Sequence, residues 1–234
     1  MRYLRRIDEE ARISRRDSLL KLGGLLAGTV AVGGWKVADS LGAEDLGGDA
    51  VACVLAPEST EGPFYLDDHK IRRNITEGKP GVPLMLRLGV VDASTCRAIR
   101  GAVVDIWHCD AGGVYSGTGR RDTEDERFLR GIQRTDAKGI ALFRTIYPGW
   151  YGGRAVHIHV TVYVGGNEVH TGQLYFPDAL TDTVYKRTPY ARRPNRNTRN
   201  ADDFIFRDGG RRSTLRLKKS GTGYVGAITM GVRS

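Results

Sequence analysis

Val156-His157-Ile158-His159-Val160-Thr161-Val162-Tyr163-Val164 is the stretch that decides the reading of this 234-residue chain. It is dominated by β-branched residues and ends on Gly165-Gly166-Asn167, which makes it a strand entering a hairpin turn rather than a helix. Residues i and i+2 of a strand share a face, so both imidazoles project one way and Ile158 the other. Two histidines among apolar neighbours are costly to bury unless a metal ion or hydrogen bonds compensate them. The segment therefore reads as a metal site or as a hydrogen-bonded structural pair. Its spacing is not His-x-Asp/Glu and does not by itself indicate a ferrous centre of two histidines and one carboxylate. Zinc with a third histidine stays open. His69, His108 and His170 are the candidates, and each reads equally well as an ordinary surface or hydrogen-bonded residue.

The same strand signature recurs outward from this segment. Val82–Asp92, Ala102–His108, Gly139–Ile146, Glu168–Phe176 and Tyr224–Val232 are short, β-branched or alternating, and bounded by turn residues. Asp136-Ala137-Lys138-Gly139 and Val164-Gly165-Gly166-Asn167 read as hairpin turns, and Asp178–Tyr190 is expected to hold a short helix. The fold class expected is all-β: an antiparallel β-sandwich core with long loops and little helix. Thirty-one glycines favour this over long helices, and 40% hydrophobic with 27% charged residues excludes wholesale disorder.

The N-terminus reads as an address. Ser14-Arg15-Arg16-Asp17-Ser18-Leu19-Leu20-Lys21 precedes a Gly/Ala/Leu/Val run from Leu22 to Val32, a secretory signal shape too short to span a bilayer. The paired arginines resemble a twin-arginine export signal, with small residues at Ala38, Ser40 or Ala43 for cleavage; an uncleaved anchor helix is the alternative. The organisation expected is a signal segment over 1–43, a linker over 44–56 and one β-sandwich domain over 57–234, in a protein exported to the periplasm or beyond. Three cysteines, Cys53, Cys96 and Cys109, allow one bridge and one leftover thiol. The pairing expected is Cys96–Cys109, although the sequence does not fix connectivity.

Net charge is +9, and residues 186–219 alone account for it, with twelve Lys/Arg against Asp202, Asp203 and Asp208. No zinc-finger, basic-helix or aromatic RNA-binding signature accompanies the run, so nucleic acid is not the expected partner. The run reads as a solvated basic face, or as a surface that attracts an anionic polymer.

Tyrosines form the second concentration of chemistry. Tyr115 lies in the loop Asp110-Ala111-Gly112-Gly113-Val114-Tyr115-Ser116-Gly117. Tyr151 lies in Ile146-Tyr147-Pro148-Gly149-Trp150-Tyr151-Gly152-Gly153-Arg154, which runs straight into the histidine strand. Flanking glycines let such a loop bring a phenol close to a buried site. A phenol ionises only near pH 10, so a phenolate there needs a strong cation beside it.

In order and spacing, a set of motifs resembles the intradiol ring-cleavage dioxygenases, the non-haem Fe(III) family that includes the catechol 1,2- and protocatechuate 3,4-dioxygenases. The motifs are Thr60-Glu61-Gly62-Pro63-Phe64-Tyr65; Val104-Asp105-Ile106-Trp107-His108 followed by Gly113-Val114-Tyr115-Ser116; Arg134-Thr135-Asp136 with Gly139; Thr145-Ile146-Tyr147-Pro148; and Arg154-Ala155-Val156-His157-Ile158-His159. The resemblance implies Tyr115, Tyr151, His157 and His159 as ligands of Fe(III). It implies Arg154 as a stabiliser of negative charge on substrate, and Gln173 as a second active-site polar residue. Tyr151 would accept a proton from the substrate. The implied reaction is cleavage of an aromatic diol by O2 between its hydroxylated carbons, giving a cis,cis-muconate-type diacid.

Only five residues separate Tyr151 from His157, where protocatechuate enzymes carry a longer insertion. The helical dimerisation segment of catechol 1,2-dioxygenases has no counterpart between the signal and Pro57. The resemblance is therefore to an exported, single-domain branch, with catechol, hydroxyquinol or protocatechuate-like substrates as candidates and self-association into a homodimer left open. Two competing functions remain at this stage. One is a secreted, non-catalytic β-sandwich module that binds carbohydrate or polymer through Trp107, Tyr147, Trp150 and the basic run. The other is a zinc hydrolase using His157, His159 and His108.

Overall fold

The computed structural model describes residues 54–68, 70–118 and 122–234. The signal segment 1–43, most of the 44–56 linker, Cys53 and His69 lie outside the described residues. Eight strands form two four-stranded sheets. The first, in order β4-β1-β8-β7, contains β1 (Pro83–Asp92), β4 (Ile140–Ile146), β7 (Arg216–Ser220) and β8 (Gly223–Val232). The second, in order β3-β2-β5-β6, contains β2 (Val103–Trp107), β3 (Arg130–Arg134), β5 (His157–Val164) and β6 (Asn167–Tyr175).

The sheets share one apolar core. Leu84, Leu86, Leu88 and Val90 of β1, with Phe143 of β4, meet Val104 and Ile106 of β2 and Ile158, Val160 and Val162 of β5; all of these are buried. Alternation then sends His157, His159 and Thr161 of β5, with Asp105 and Trp107 of β2, to the far side of the second sheet. They are buried there as well, because the 57–65 segment and the loops after β2 and β4 cover that face. β5 is thus buried on both faces while its sequence still alternates, His157, His159 and Thr161 against Ile158, Val160 and Val162.

The expected sandwich is present with one correction. The second sheet is antiparallel throughout, but β1 and β8 pair in parallel, from Leu84↔Tyr224 to Asp92↔Val232. These are the first and last strands of the sandwich, and only short hairpin connections force an antiparallel pair. The Val164–Asn167 hairpin forms with Gly165 and Gly166 both at positive φ, as a two-residue turn of this hand requires. The Asp136–Gly139 turn also forms, its Asp136 carboxylate accepting from the amides of Lys138 and Ile140 at 2.8 and 2.9 Å. It is not a hairpin, however, since it carries the chain from β3 in one sheet to β4 in the other. Strands β3 and β7, unanticipated from sequence, are basic edge strands, and charge at an edge is how proteins discourage further strand pairing.

Among the described residues helix is confined to α1 (Asp178–Val184), α2 (Phe204–Arg207) and short 3-10 turns. Among the described residues no helix is long and apolar enough to cross a membrane. The basic run is not simply a solvated face. Arg196 pairs with Asp178 at 2.6 Å and Asp182 at 2.9 Å, and Arg199 reaches Asp182 at 2.9 Å, which fastens the 193–200 segment to α1.

The Cys96–Cys109 pairing is overturned. Cys96 is disulfide-bonded, whereas Cys109 is a free, buried thiol. Cys96 occupies an exposed turn after β1, and Cys109 lies under the loops that follow β2, its Sγ 3.4 Å from the Gly149 carbonyl. The strands they follow belong to different sheets. Burial pushes the Cys109 thiol up to about 12, so almost no thiolate exists at pH 8. Native protein treated with iodoacetamide at pH 8 is expected to leave Cys109 unmodified and to become labelled there only in denaturant, as peptide mapping would show.

Candidate functional site

Tyr115, Tyr151, His157 and His159 come together on the loop-covered face of the second sheet. His157 and His159 arrive as i and i+2 of β5, with their Nε2 atoms 3.0 Å apart. The hydroxyl of Tyr151 is 3.1 Å from His157 Nε2. The ring of Tyr115 is 5.6 Å from that of Tyr151 and 6.1 Å from that of His159, between centroids.

Local features hold each donor. His157 Nδ1 is 2.7 Å from the Ala155 carbonyl; a carbonyl only accepts, so the proton resides on Nδ1 and Nε2 presents its lone pair. His159 stacks on Trp107, its cross-strand partner, at 5.0 Å. On its other flank runs the backbone of Gly62, whose added Cβ would lie 3.3 Å from His159 Cε1 and whose φ is +73°; here only glycine fits without strain. Phe64 stacks on Tyr115 at 4.2 Å. The two tyrosine loops are joined where Gly149 N donates to Asp110 O at 3.0 Å and where Gly113, at φ +78°, lies against the Trp150 carbonyl with no room for a Cβ.

The electrostatics favour neutral donors awaiting a cation. Burial pushes His157 down to about 3, with Arg154 adding to the effect. Burial and the adjacent His157 hold His159 well below its ordinary value. Both are therefore neutral imidazoles at pH 7. Burial likewise raises Tyr115 well above 10 and Tyr151 to about 12, so these phenols ionise only if a strong positive charge compensates them. The Tyr115 hydroxyl and His159 Nδ1 are buried with no hydrogen-bond partner. Leaving such an atom unpaired costs about 1–3 kcal/mol.

A metal ion fits this donor set. Two donors about 2.1 Å from one ion at roughly right angles stand about 3.0 Å apart, close to the Nε2–Nε2 and Oη–Nε2 separations here. Two phenols that must ionise and two neutral imidazoles suit a highly charged cation with affinity for oxygen and nitrogen. Among the described residues no group of three His, Cys, Asp or Glu could hold an ion. The zinc triad with His108 is thus overturned: His108 Nε2 bonds Thr145 Oγ1 at 2.7 Å and Nδ1 bonds the Cys109 carbonyl at 2.8 Å, leaving no nitrogen free. His170 is engaged with Glu58 at 3.1 Å.

Arg154 and Gln173 are also brought together. Arg154 Nη2 donates to Gln173 Oε1, and Gln173 faces His159 across the β5–β6 pair. Tyr175 Oη donates to the same Gln173 oxygen at 2.9 Å. Sequence reasoning missed Asp203. Its fully buried carboxylate accepts from Arg154 Nε at 3.0 Å, Ala155 N at 2.7 Å and Ile205 N at 2.8 Å. It thereby orients both the arginine and Ala155, the residue whose own carbonyl fixes His157. The available signal was an Asp before Phe204-Ile205-Phe206, an N-cap position, but it lay within a run read as surface.

Beside the tyrosines is a cavity of about 200 Å³, lined in part by Phe64, Val114, Tyr115, Tyr151 and Arg193. A benzene-sized ring needs about 150 Å³.

Comparison with known proteins gives this arrangement its class. A family model described as "Dioxygenase" matches residues 59–186. An intradiol ring-cleavage dioxygenase from Tetranychus urticae is 34% identical, with a TM-score of 0.73 over 77% of this chain and 95% of that one. The dioxygenase domain of a dioxygenase carbohydrate-binding protein fusion from the cellulolytic bacterium Streptomyces sp. SirexAA-E is 31% identical, with a TM-score of 0.60 over 77% and 99%. Among curated proteins, chlorocatechol 1,2-dioxygenase of Pseudomonas putida is 27% identical over 150 residues, 55% of this chain and 56% of that protein. Catechol 1,2-dioxygenase 1 of Acinetobacter lwoffii is 32% identical over 101 residues, 41% of this chain and 32% of that protein. The chain spans about half the length, or less, of these curated relatives. It belongs to the intradiol ring-cleavage dioxygenase family.

Asp203→Asn puts an amide donor against the N–H groups the carboxylate serves. It is expected to lower stability by about 3 kcal/mol or more, the usual cost of breaking a buried charged pair, as a denaturant midpoint would show. A pH series tests the buried imidazoles. Burial brings His108 down to about 4, so between pH 6.5 and 4 the unfolded chain binds a proton that the folded chain does not. Stability then falls with falling pH, by roughly 2 kcal/mol at pH 5 for such a histidine. His108→Asn should flatten that part of the urea-midpoint profile; an unchanged slope would remove His108 from the account.

Proposed function

We propose that this protein is a non-haem Fe(III) enzyme that uses O2 to cleave a catechol-type ring between its two hydroxylated carbons, giving a cis,cis-muconate-type diacid. The observation that carries this is the convergence of the Tyr151 hydroxyl and His159 Nε2 on His157 Nε2, at 3.1 and 3.0 Å, beside a buried Tyr115 hydroxyl without a partner. Tyr115, Tyr151, His157 and His159 would hold the ion. Bound there, ferric ion would supply the Lewis acidity that binds a catechol through both oxygens and allows reaction with O2. The names of the curated relatives, a catechol and a chlorocatechol 1,2-dioxygenase, support the substrate class.

The chain's own groups have separable tasks. Tyr151, only partly covered at the tip of its loop, is the phenolate base for a catechol proton. A second carboxylate base is unnecessary, and none adjoins the donors. Arg154, held by Asp203 and Gln173, is a fixed guanidinium whose charge stabilises oxyanion character developing on the ring oxygens. A preorganised donor of that kind contributes a few kcal/mol where water is sparse. Trp107, Phe64 and the Gly62 backbone keep the imidazole and phenol rings from turning away and exclude water from one side. With the twin-arginine-type segment over 1–43, the reading is of an exported enzyme that meets its aromatic substrate outside the cytoplasm.

Iron-loaded protein is expected to be wine-red from tyrosinate-to-iron charge transfer, and to consume O2 when given catechol. Tyr115→Phe and Tyr151→Phe should each shift or weaken the visible band. His157→Ala should lower bound iron at least about tenfold by metal analysis. A colourless iron-loaded protein, or full colour and iron content in all three variants, would overturn the assignment.

A further inference from the structure

Arg193 lies in the run that the sequence presents as a basic surface, yet its side chain forms part of the wall of the cavity beside Tyr115 and Tyr151. It is held from two directions. The guanidinium carbon lies 3.9 Å above the Trp150 ring, and Nη1 donates to the carbonyl of Gly112 at 2.7 Å and to that of Trp150. Gly113 has no Cβ, which leaves room for that nitrogen. Trp150 immediately precedes Tyr151, so the stacked cation is one residue along the chain from a donor of the candidate metal centre.

No ion pair involving Arg193 occurs among the described residues. The Asp110 carboxylate of the adjoining loop bonds the amides of Gly112 and Val114 through Oδ1 rather than the guanidinium. Nε and Nη2 have no protein partner among the described residues. Carbonyl contacts and stacking fix a guanidinium in place without cancelling its charge, which is the arrangement that recognises a planar two-oxygen anion. Phe64, Val114, Tyr115 and Tyr151 give the cavity apolar surface for a ring, and Gly112, Gly113 and Thr118 complete its lining.

We propose that Arg193 selects catechols carrying a carboxylate, on the ring or on a short side chain, by binding that anion at the mouth of the cavity while the diol end faces Tyr151, His157 and His159. This rests on the ring-cleavage reading above for the position of the diol. It adds the polarity of the substrate's far end and the residue that reads it.

Binding of ligands that are not cleaved separates the two ideas. Calorimetric dissociation constants for 4-hydroxybenzoate and phenol on the full, iron-loaded protein should differ by about tenfold or more in favour of the carboxylate, the scale of one charge-assisted hydrogen bond. The ratio should collapse to near one in Arg193→Gln and survive within about threefold in Arg193→Lys, which keeps the charge. In O2 uptake, the kcat/KM ratio of 3,4-dihydroxybenzoate to catechol should fall in the same order. Equal affinities for 4-hydroxybenzoate and phenol, or a ratio unchanged in Arg193→Gln, overturn the proposal. If Arg193→Gln does not fold, wild type decides with 4-hydroxybenzamide, a neutral isostere. Binding as weak as that of phenol supports recognition of charge, and binding equal to that of the benzoate overturns it. Catechol cleavage with no carboxylate preference sinks only the role of Arg193, whereas a preference without cleavage of any diol sinks the ring-cleavage reading.

Discussion

A strand buried on both faces is the constraint on which the rest of this structure depends. Ile158, Val160 and Val162 of β5 are fully enclosed between the sheets, and the period of two then fixes where His157 and His159 go. A slip of one residue would send the imidazoles into the apolar core and the aliphatic side chains into the site. The hydrophobic core thus supplies positional precision to a polar cluster that it does not touch. Loops alone would not hold two ring nitrogens 3.0 Å apart; pairing of β5 with both β2 and β6 does.

The second determinant is electrostatic. Buried imidazoles and phenols are each pushed toward their neutral forms, and the nearest fixed charge, Arg154, is positive. Protons therefore do not compete strongly for the histidine nitrogens at pH 7. Asp203 offsets part of the local positive charge from outside the donor cluster, bonded to Arg154 Nε and the Ala155 amide. It belongs to the segment that also carries Arg193, Arg196 and Arg199, and the ion pairs of Arg196 and Arg199 with α1 help bring that segment to the site. The 193–203 part of the basic run is consequently structural or lies against the site, and net charge alone gave no hint of it.

Much of the fold was legible because period and punctuation are local properties. Six strands were found within a residue or so of their observed ends, since each is a β-branched run bounded by turn residues. Strands β3 and β7 were not, because Arg-Gly-Ile-Gln-Arg and Arg-Leu-Lys-Lys-Ser carry too few apolar positions to show alternation; pairing to a neighbour makes them strands. The parallel β1–β8 pair was equally hidden, as relative strand direction depends on the path of the chain between them. The disulfide expectation failed for the same reason: cysteine spacing along the chain says nothing about which sheet each cysteine ends on.

By itself the sequence determined the all-β class, the shared face of His157 and His159 and the two glycine-flanked tyrosine loops, all of which follow from side-chain period and turn chemistry over a few residues; the motifs add a family resemblance. Only the tertiary structure decided that Tyr115 and Tyr151 lie beside those histidines, that His108 is consumed by Thr145 and the Cys109 carbonyl, that Asp203 holds Arg154, and that Arg193 lines the neighbouring cavity. Apart from Tyr151–His157 and His108–Cys109, which are near in sequence, those contacts join positions 37 to 49 residues apart. They exist because two sheets pack and their loops close over one face, a consequence of burying the whole core at once that no local pattern encodes.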